Sequence, residues 1–137
     1  MRSVGRLLRY AWASPATAVG LLFSIVALFA GAKPRRVDGV LEVAGGRLRR
    51  LTAALPFFAR FAAITFGHVI IGLDHTVLRR VRAHELVHVR QYERWGVLFF
   101  PLYVLSSLVQ LVCGRDPYRD NAFEREAFAQ SRDYSEA

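Results

Sequence analysis

Two stretches of this 137-residue chain carry no charged side chain: residues 10–32 and residues 96–113. A helix rises about 1.5 Å per residue, and a bilayer core takes about 20 apolar residues, so residues 16–32 of the first stretch and the whole of the second lie near the short end of the spanning range. In the first, Ser14-Pro15 reads as a helix start, with Ser14 as N-cap and Pro15 in the first turn, and residues 16–32 follow as helix. Length and flanking charge favour a membrane anchor over residues 14–32. The alternatives are a secretory leader ending at Ala30-Gly31-Ala32 and a buried core helix. Arg2, Arg6 and Arg9 precede the stretch, and Lys33, Arg35 and Arg36 follow it, so the positive-inside rule assigns no orientation. In the second stretch, Pro101, Ser106, Ser107 and Gln110 favour a buried or re-entrant helix.

Composition supports membrane contact. Hydrophobic residues make up 53% and charged residues 22%, which describes a folded domain with surplus apolar surface. The net charge of +8 rests almost wholly on arginine and favours anionic partners. The arginines are scattered from Arg2 to Arg132 with no nucleic-acid reading module, so lipid head groups fit better than nucleic acid. Cys113 is the single cysteine, which excludes an internal disulfide, and it reads as a small apolar core residue.

Between the two apolar stretches the pattern turns mixed. Lys33-Pro34-Arg35-Arg36 reads as a linker closing an N-terminal unit of residues 1–36; residues 37–137 then form one compact α+β domain. Residues 37–43 are a short strand candidate, Gly45-Gly46 a turn, and residues 47–51 a second short strand. Residues 52–61 are ambiguous, with Pro56 interrupting any regular element. Residues 63–73 are rich in β-branched and aromatic residues and read as one strand. Asp74 or Thr76 then caps a helix over residues 77–95 that ends at Gly96. A last helix begins between Asp116 and Asn121 and runs to about Arg132.

The helix over residues 77–95 carries His84-Glu85-Leu86-Val87-His88. An i, i+4 spacing puts both imidazoles on one helix face, where they can share one metal ion. Glu85 stands beside the first histidine, placed to take a proton from a water that zinc has acidified. Val81, His84, His88, Tyr92 and Trp95 follow three- and four-residue steps along one face.

A catalytic zinc needs three protein ligands and an open position. No third histidine follows at short spacing; His68 and His75 lie upstream. The downstream candidates are Glu124 and Glu126 in the segment Asn121–Ala127, two residues apart and so on different faces of a helix. Glu124 can also serve as a capping residue, reaching back to Asn121.

The pairing of HELVHVRQYERWG with NAFEREAFA resembles the small HExxH zinc peptidases of the gluzincin group. Its Glu-x-x-Ala element, Glu124 to Ala127, is similar to that of the membrane-bound family that includes CAAX prenyl proteases. That family often has an aspartate after the alanine, where this chain has Phe128. The resemblance covers residues 63–130 and implies that one zinc ion is held by His84, His88 and Glu124, with Ala127 packing against the metal helix.

These readings combine into one expectation: a membrane-associated zinc metallopeptidase with a small sheet, an active-site helix and a C-terminal ligand helix, Glu85 acting as general base on a peptide or protein substrate. A strand over residues 63–73 would pair with extended substrate, and His68, Tyr92 and Tyr118 are the possible substrate or oxyanion contacts. The alternative is a non-catalytic, membrane-associated zinc-binding protein. The catalytic reading needs residues 96–113 to stay on one side of any membrane, since a crossing would part Glu124 from His84 and Glu124 would not be the ligand.

Overall fold

The computed structural model describes residues 2–56 and 61–135. The architecture is α+β: a mixed four-stranded sheet with helices on both faces. In chain order the elements are α1 (Arg2–Phe29), β1 (Lys33–Val37), β2 (Val40–Ala44), α2 (Leu48–Ala53), β3 (Ala63–Phe66), β4 (Val69–Gly72), α3 (His75–Trp95), α4 (Phe99–Val112) and α5 (Ala122–Ser135). A 3-10 turn, Gly96–Leu98, joins α3 to α4.

α1 is longer than the expected 16–32 and does not begin at Ser14. It runs unbroken through Pro15 for 28 residues, about 42 Å. A proline inside a helix leaves the carbonyl four residues back without its N–H partner. Here that carbonyl belongs to Ala11, and the Ser14 hydroxyl donates to it at 2.7 Å. The helix therefore survives its proline, and Ser14 mends the ladder instead of starting it.

The sheet order is β1-β2-β4-β3. β1 and β2 form an antiparallel hairpin, β2 and β4 run parallel, and β4 and β3 form a second antiparallel hairpin. Three readings of the sequence are corrected here. Residues 33–36 are strand, because Asp38 and Gly39 both take positive φ (49° and 82°), the two-residue turn that matches strand twist. Residues 63–73 are two strands, because Gly67 turns the chain at φ 58°. Residues 48–53 are helical, since after the Gly45-Gly46 turn the segment packs Leu48 and Thr52 inward at four-residue spacing. Part of the ambiguous stretch, residues 57–60, lies outside the described residues.

Alternation along the strands assigns the two faces. Val43, Val69 and Ile71 face α1 and α2, where they bury Ala27, Ala32 and Leu48. Val40, Ala44 and Ile70 face α3, where they bury Leu78 and Val89. Glu42 points to the same side and is fully buried; Arg82 of α3 grips it through two bonds of 2.6 and 2.9 Å. Losing one partner of such a pair leaves a buried charge, typically at a cost of about 3–5 kcal/mol, so the pair fixes the position of α3 on the sheet. β3 is an edge strand and lies beside α3.

Of the two alternatives for residues 96–113, buried or re-entrant, the buried one is corrected. Only Phe99 of α4 is fully buried, while Phe100, Leu105, Leu108, Leu111 and Val112 stand more than half exposed. Cys113 is exposed as well. The polar residues of this stretch serve α5: Ser106 accepts from the Ala122 N–H at 3.0 Å, and Ser107 accepts from Asn121 Nδ2 at 2.7 Å. Residues 4–29 and the run through residues 75–112 are both long and apolar enough to cross a membrane.

Candidate metal centre

α3 starts where Asp74 accepts the Val77 N–H at 2.8 Å and ends at Gly96. Its buried face holds Glu85, His88 and Gln91. α5 packs against it in the reverse sense, after Asn121 has organised its first turn. Asn121 is fully buried; its Oδ1 accepts the Phe123 N–H at 2.9 Å, and its Nδ2 donates to the Tyr103 carbonyl at 3.0 Å. Glu124 therefore enters the core from the first turn of α5, where a carboxylate is favoured by the helix dipole.

His84, His88 and Glu124 meet there, with one ligand atom from each lying within 4.8 Å of the others, a group that could hold a metal ion. The Nε2 atoms of His84 and His88 are 3.2 Å apart. The Glu124 carboxylate reaches His84 Nε2 at 2.9 Å and His88 Nε2 at 3.4 Å. Ligands about 2.05 Å from a tetrahedral ion stand about 3.3 Å apart, close to the 3.2 Å between the imidazole nitrogens and to the 2.9 and 3.4 Å that separate them from Glu124 Oε2 and Oε1 respectively. Two imidazoles and one carboxylate are also a donor set that suits zinc and other first-row divalent metals.

Gln91 settles which nitrogen of His88 faces the site. Its amide nitrogen points at two acceptors, the Phe123 carbonyl at 3.0 Å and Glu126 Oε2 at 2.7 Å. Its oxygen must then face His88 Nδ1, 2.8 Å away, which makes Nδ1 the protonated nitrogen and leaves the Nε2 lone pair for a metal. Tyr103 donates to Glu124 Oε1 at 2.6 Å and holds the carboxylate in place. Glu124 lies only 3% exposed; without metal, His88 protonated on both ring nitrogens donates to it together with His84, and although burial raises the Glu124 pKa these bonds hold it at about 2, whereas a metal ion at the site would take the place of the Nε2 proton. It is ionised at neutral pH, as a ligand must be.

Glu85 is buried beside the group and accepts a bond of 2.7 Å from the Thr65 hydroxyl of β3. A cleft of about 330 Å³ opens against these residues, walled by the edge strand β3 on one side and by Phe99, Phe100 and Tyr103 on the other. Tyr118 stands at its rim, and burial together with the Glu124 charge keeps its phenol protonated well above the ordinary value.

The structure thus brings His84, Glu85, His88 and Glu124 together and adds Tyr118 to the cleft. Tyr92 reaches the cleft only as a buried wall, its ring 4.3 Å from that of Phe99. His68 is placed elsewhere: it stacks on Tyr10 at 3.8 Å and bonds Glu93 at 3.0 Å, pinning α1 to the end of α3. Glu126, the rival carboxylate, is occupied by Gln91, Arg94 and Gln130. Thr65, Gln91 and Tyr103 were not singled out by the sequence. Gln91 sits three residues after His88 and was open to the same helical arithmetic; Thr65 and Tyr103 are distant in the chain and carry no local signal. No protein-family model matches the chain, and no curated protein or solved structure is detectably similar to it.

Proposed function

We propose that this protein is a membrane-associated zinc metallopeptidase of the gluzincin type. The observation that carries the reading is the convergence of His84 Nε2, His88 Nε2 and Glu124 on one point, with Glu85 beside them and an open cleft in front. Zinc held there would supply acidity, lowering the pKa of a water toward 7 and polarising a carbonyl. Glu85 takes the proton of the attacking water and returns it to the leaving nitrogen; Thr65 keeps one carboxylate oxygen engaged so that the other faces the cleft. Tyr118, a protonated phenol at the rim, donates to the developing oxyanion. β3, an edge strand of the sheet, pairs with an extended peptide and presents the scissile bond to Glu85.

The apolar faces of α1 and α4 support membrane association. Leu22, Phe29, Leu105, Leu108 and Val112 are exposed, and the apolar stretch of α1 is preceded by Arg6 and Arg9 within the helix and followed by Arg35 and Arg36 on β1. Lipid contact through residues 14–32 would cover the first of these faces. The open cleft supports an enzyme over a purely structural zinc site, whose coordination would be closed by protein.

Metal analysis of the purified chain tests the site, and a Glu85→Gln variant tests the chemistry. The expected result is close to one zinc per chain in both proteins, with peptide hydrolysis lost by about 100-fold or more only in the variant. Metal-free protein would end the zinc reading. Zinc retained with undiminished hydrolysis would remove Glu85 from the mechanism.

A further inference from the structure

α1 is apolar almost all round between residues 16 and 29, and only one narrow side of it is covered. Ala13, Gly20, Ser24 and Ala27 are buried, while Leu22, Phe23, Ile25, Val26 and Phe29 stand more than half exposed. The covered side lies along the sheet. The Thr17 hydroxyl accepts the His68 N–H at 3.1 Å, a Cβ added at Gly20 would stand 2.7 Å from that of Val69, and Ala27 packs with Val43 and Ile71. The β1-β2 hairpin returns beside the same stretch. β1 starts at Lys33, just past α1, and at the far end the Leu41 N–H donates to the His68 carbonyl at 2.9 Å, level with Thr17. The exposed Lys33, Arg35, Arg36 and Asp38 therefore flank residues 17–32. An α1 that crossed a bilayer upright would carry these charges into hydrocarbon, where each costs roughly a hundredfold in partitioning. A helix lying in the interface plane leaves them in the head-group layer.

The charge in this part of the chain is one-sided. Residues 1–73 contain ten cations and two carboxylates, Asp38 and Glu42. Glu42 is buried on the α3 side of the sheet and held by Arg82; Asp38 sits in the hairpin turn, away from the end of α1. At that end the Arg47 N–H donates to the Ala30 carbonyl at 2.8 Å and seats α2 against the last turn of α1. α2 turns Leu48 and Thr52 inward, which leaves Arg47, Arg50 and Leu51 exposed. Arg36 stands opposite Leu41 in the hairpin and shares its side of the sheet, the side of α1 and α2. Arg49 is bonded to Asp74, whereas Arg36, Arg47 and Arg50 enter no ion pair among the described residues.

We propose that the protein lies in the plane of a bilayer containing anionic lipid, with the outer face of α1 sunk into one leaflet and Arg36, Arg47 and Arg50 on the head groups at its end. A guanidinium offers a phosphate paired donors, and each cation near an anionic surface strengthens binding about fivefold, so three give roughly 100-fold. This seating rests on the membrane association proposed above. It is independent of the metal group, whose helix α3 packs on the opposite face of the sheet.

The test uses the full-length protein, purified in nonionic detergent and diluted onto the outside of preformed phosphatidylcholine vesicles, plain or with about one third phosphatidylglycerol. Flotation gives the partition coefficient. The expected result is about 100-fold tighter binding to the anionic vesicles, shrinking as salt is raised. A triple Arg36→Gln, Arg47→Gln, Arg50→Gln variant should lose most of that preference, bind plain vesicles within about threefold of the parent and keep the parent's zinc content. In a Cys113→Ser background, Gly5→Cys and Arg35→Cys report on the two ends of α1. A membrane-impermeant maleimide added outside should label both. Protection of one end would make α1 a span and overturn the in-plane seat. Equal binding to the two kinds of vesicle, or a preference that survives the triple change, would overturn the head-group contact. Binding to neither, with chains self-associated once detergent is removed, would assign the face to a second copy and overturn the membrane association as well. Zinc content and hydrolysis are read separately: their loss leaves this seating standing, and failure of the seating leaves the metal site standing.

Discussion

Replacing Gln91 separates two roles that one side chain performs. Its oxygen fixes the His88 tautomer, and its nitrogen ties α3 to α5 through the Phe123 carbonyl and Glu126. Gln91→Leu keeps the volume and removes all three bonds. A buried neutral bond left unmade costs roughly 1–3 kcal/mol, and the bond to Glu126 adds less because water can reach that carboxylate, so metal-free unfolding should lose about 2–4 kcal/mol. Loss of a partner behind a metal-binding histidine typically weakens metal binding by about 10–100-fold. Gln91→Glu offers His88 Nδ1 the same acceptor but has no N–H for α5 and sets a second negative charge against Glu126. It should therefore lose similar stability and yet keep zinc affinity within a few-fold. Chelator-competition titration gives the affinity, and urea unfolding of chelated protein in detergent gives the stability. Equal affinity losses in the two variants, or a folded Gln91→Leu protein that binds zinc like the parent, would refute the tautomer argument.

Asn121→Ala removes the α5 cap and leaves the Tyr103 carbonyl and Ser107 hydroxyl without their donor; thermal unfolding should show a loss of roughly 2–3 kcal/mol, together with weaker zinc binding because Glu124 sits in that turn. Gly67→Ala sets a Cβ 2.3 Å from Thr17 Oγ1 at positive φ and should cost at least about 2 kcal/mol, whereas Gly5→Ala meets nothing within 4 Å on α1 and should stabilise the chain by about 0.5–1 kcal/mol; the same unfolding assay compares them. In metal-free protein, the Glu124 pKa is held at about 2, below its ordinary 4.5. A depressed carboxylate stabilises the fold above its unfolded value, and that contribution, about 3 kcal/mol at most, is lost as pH falls from 4.5 through 2. Glu124→Gln should flatten acid unfolding monitored by circular dichroism across that window.

The helix bearing HELVH was legible because its signals are local: an Asp cap, a three- and four-residue apolar rhythm and a closing Gly96. The carboxylate arriving from α5 was legible only as one of two choices. What sets Glu126 apart from the His84–His88–Glu124 group is its engagement by Gln91, Arg94 and Gln130, and no spacing rule contains those contacts. Strand readings failed at two-residue turns. The Asp38-Gly39 pair was a usable hairpin signal and was passed over, while Gly67-His68 sits inside an apolar run that hides the break. Pro15 misplaced the start of α1, because the rescue of the Ala11 carbonyl by Ser14 depends on a side-chain rotamer. Ser106 and Ser107 made α4 look like a core helix, when their partners are the first residues of α5.

Zinc K-edge absorption on the protein as purified, beside its Glu124→Gln and Glu126→Gln variants, tests the central claim most directly. The account predicts four light-atom ligands at about 2.0–2.1 Å, two of them imidazoles. It also predicts that zinc is lost or recoordinated in Glu124→Gln and unchanged in Glu126→Gln. A shell with fewer than two imidazoles, or a site that ignores Glu124 and depends on Glu126, would contradict it.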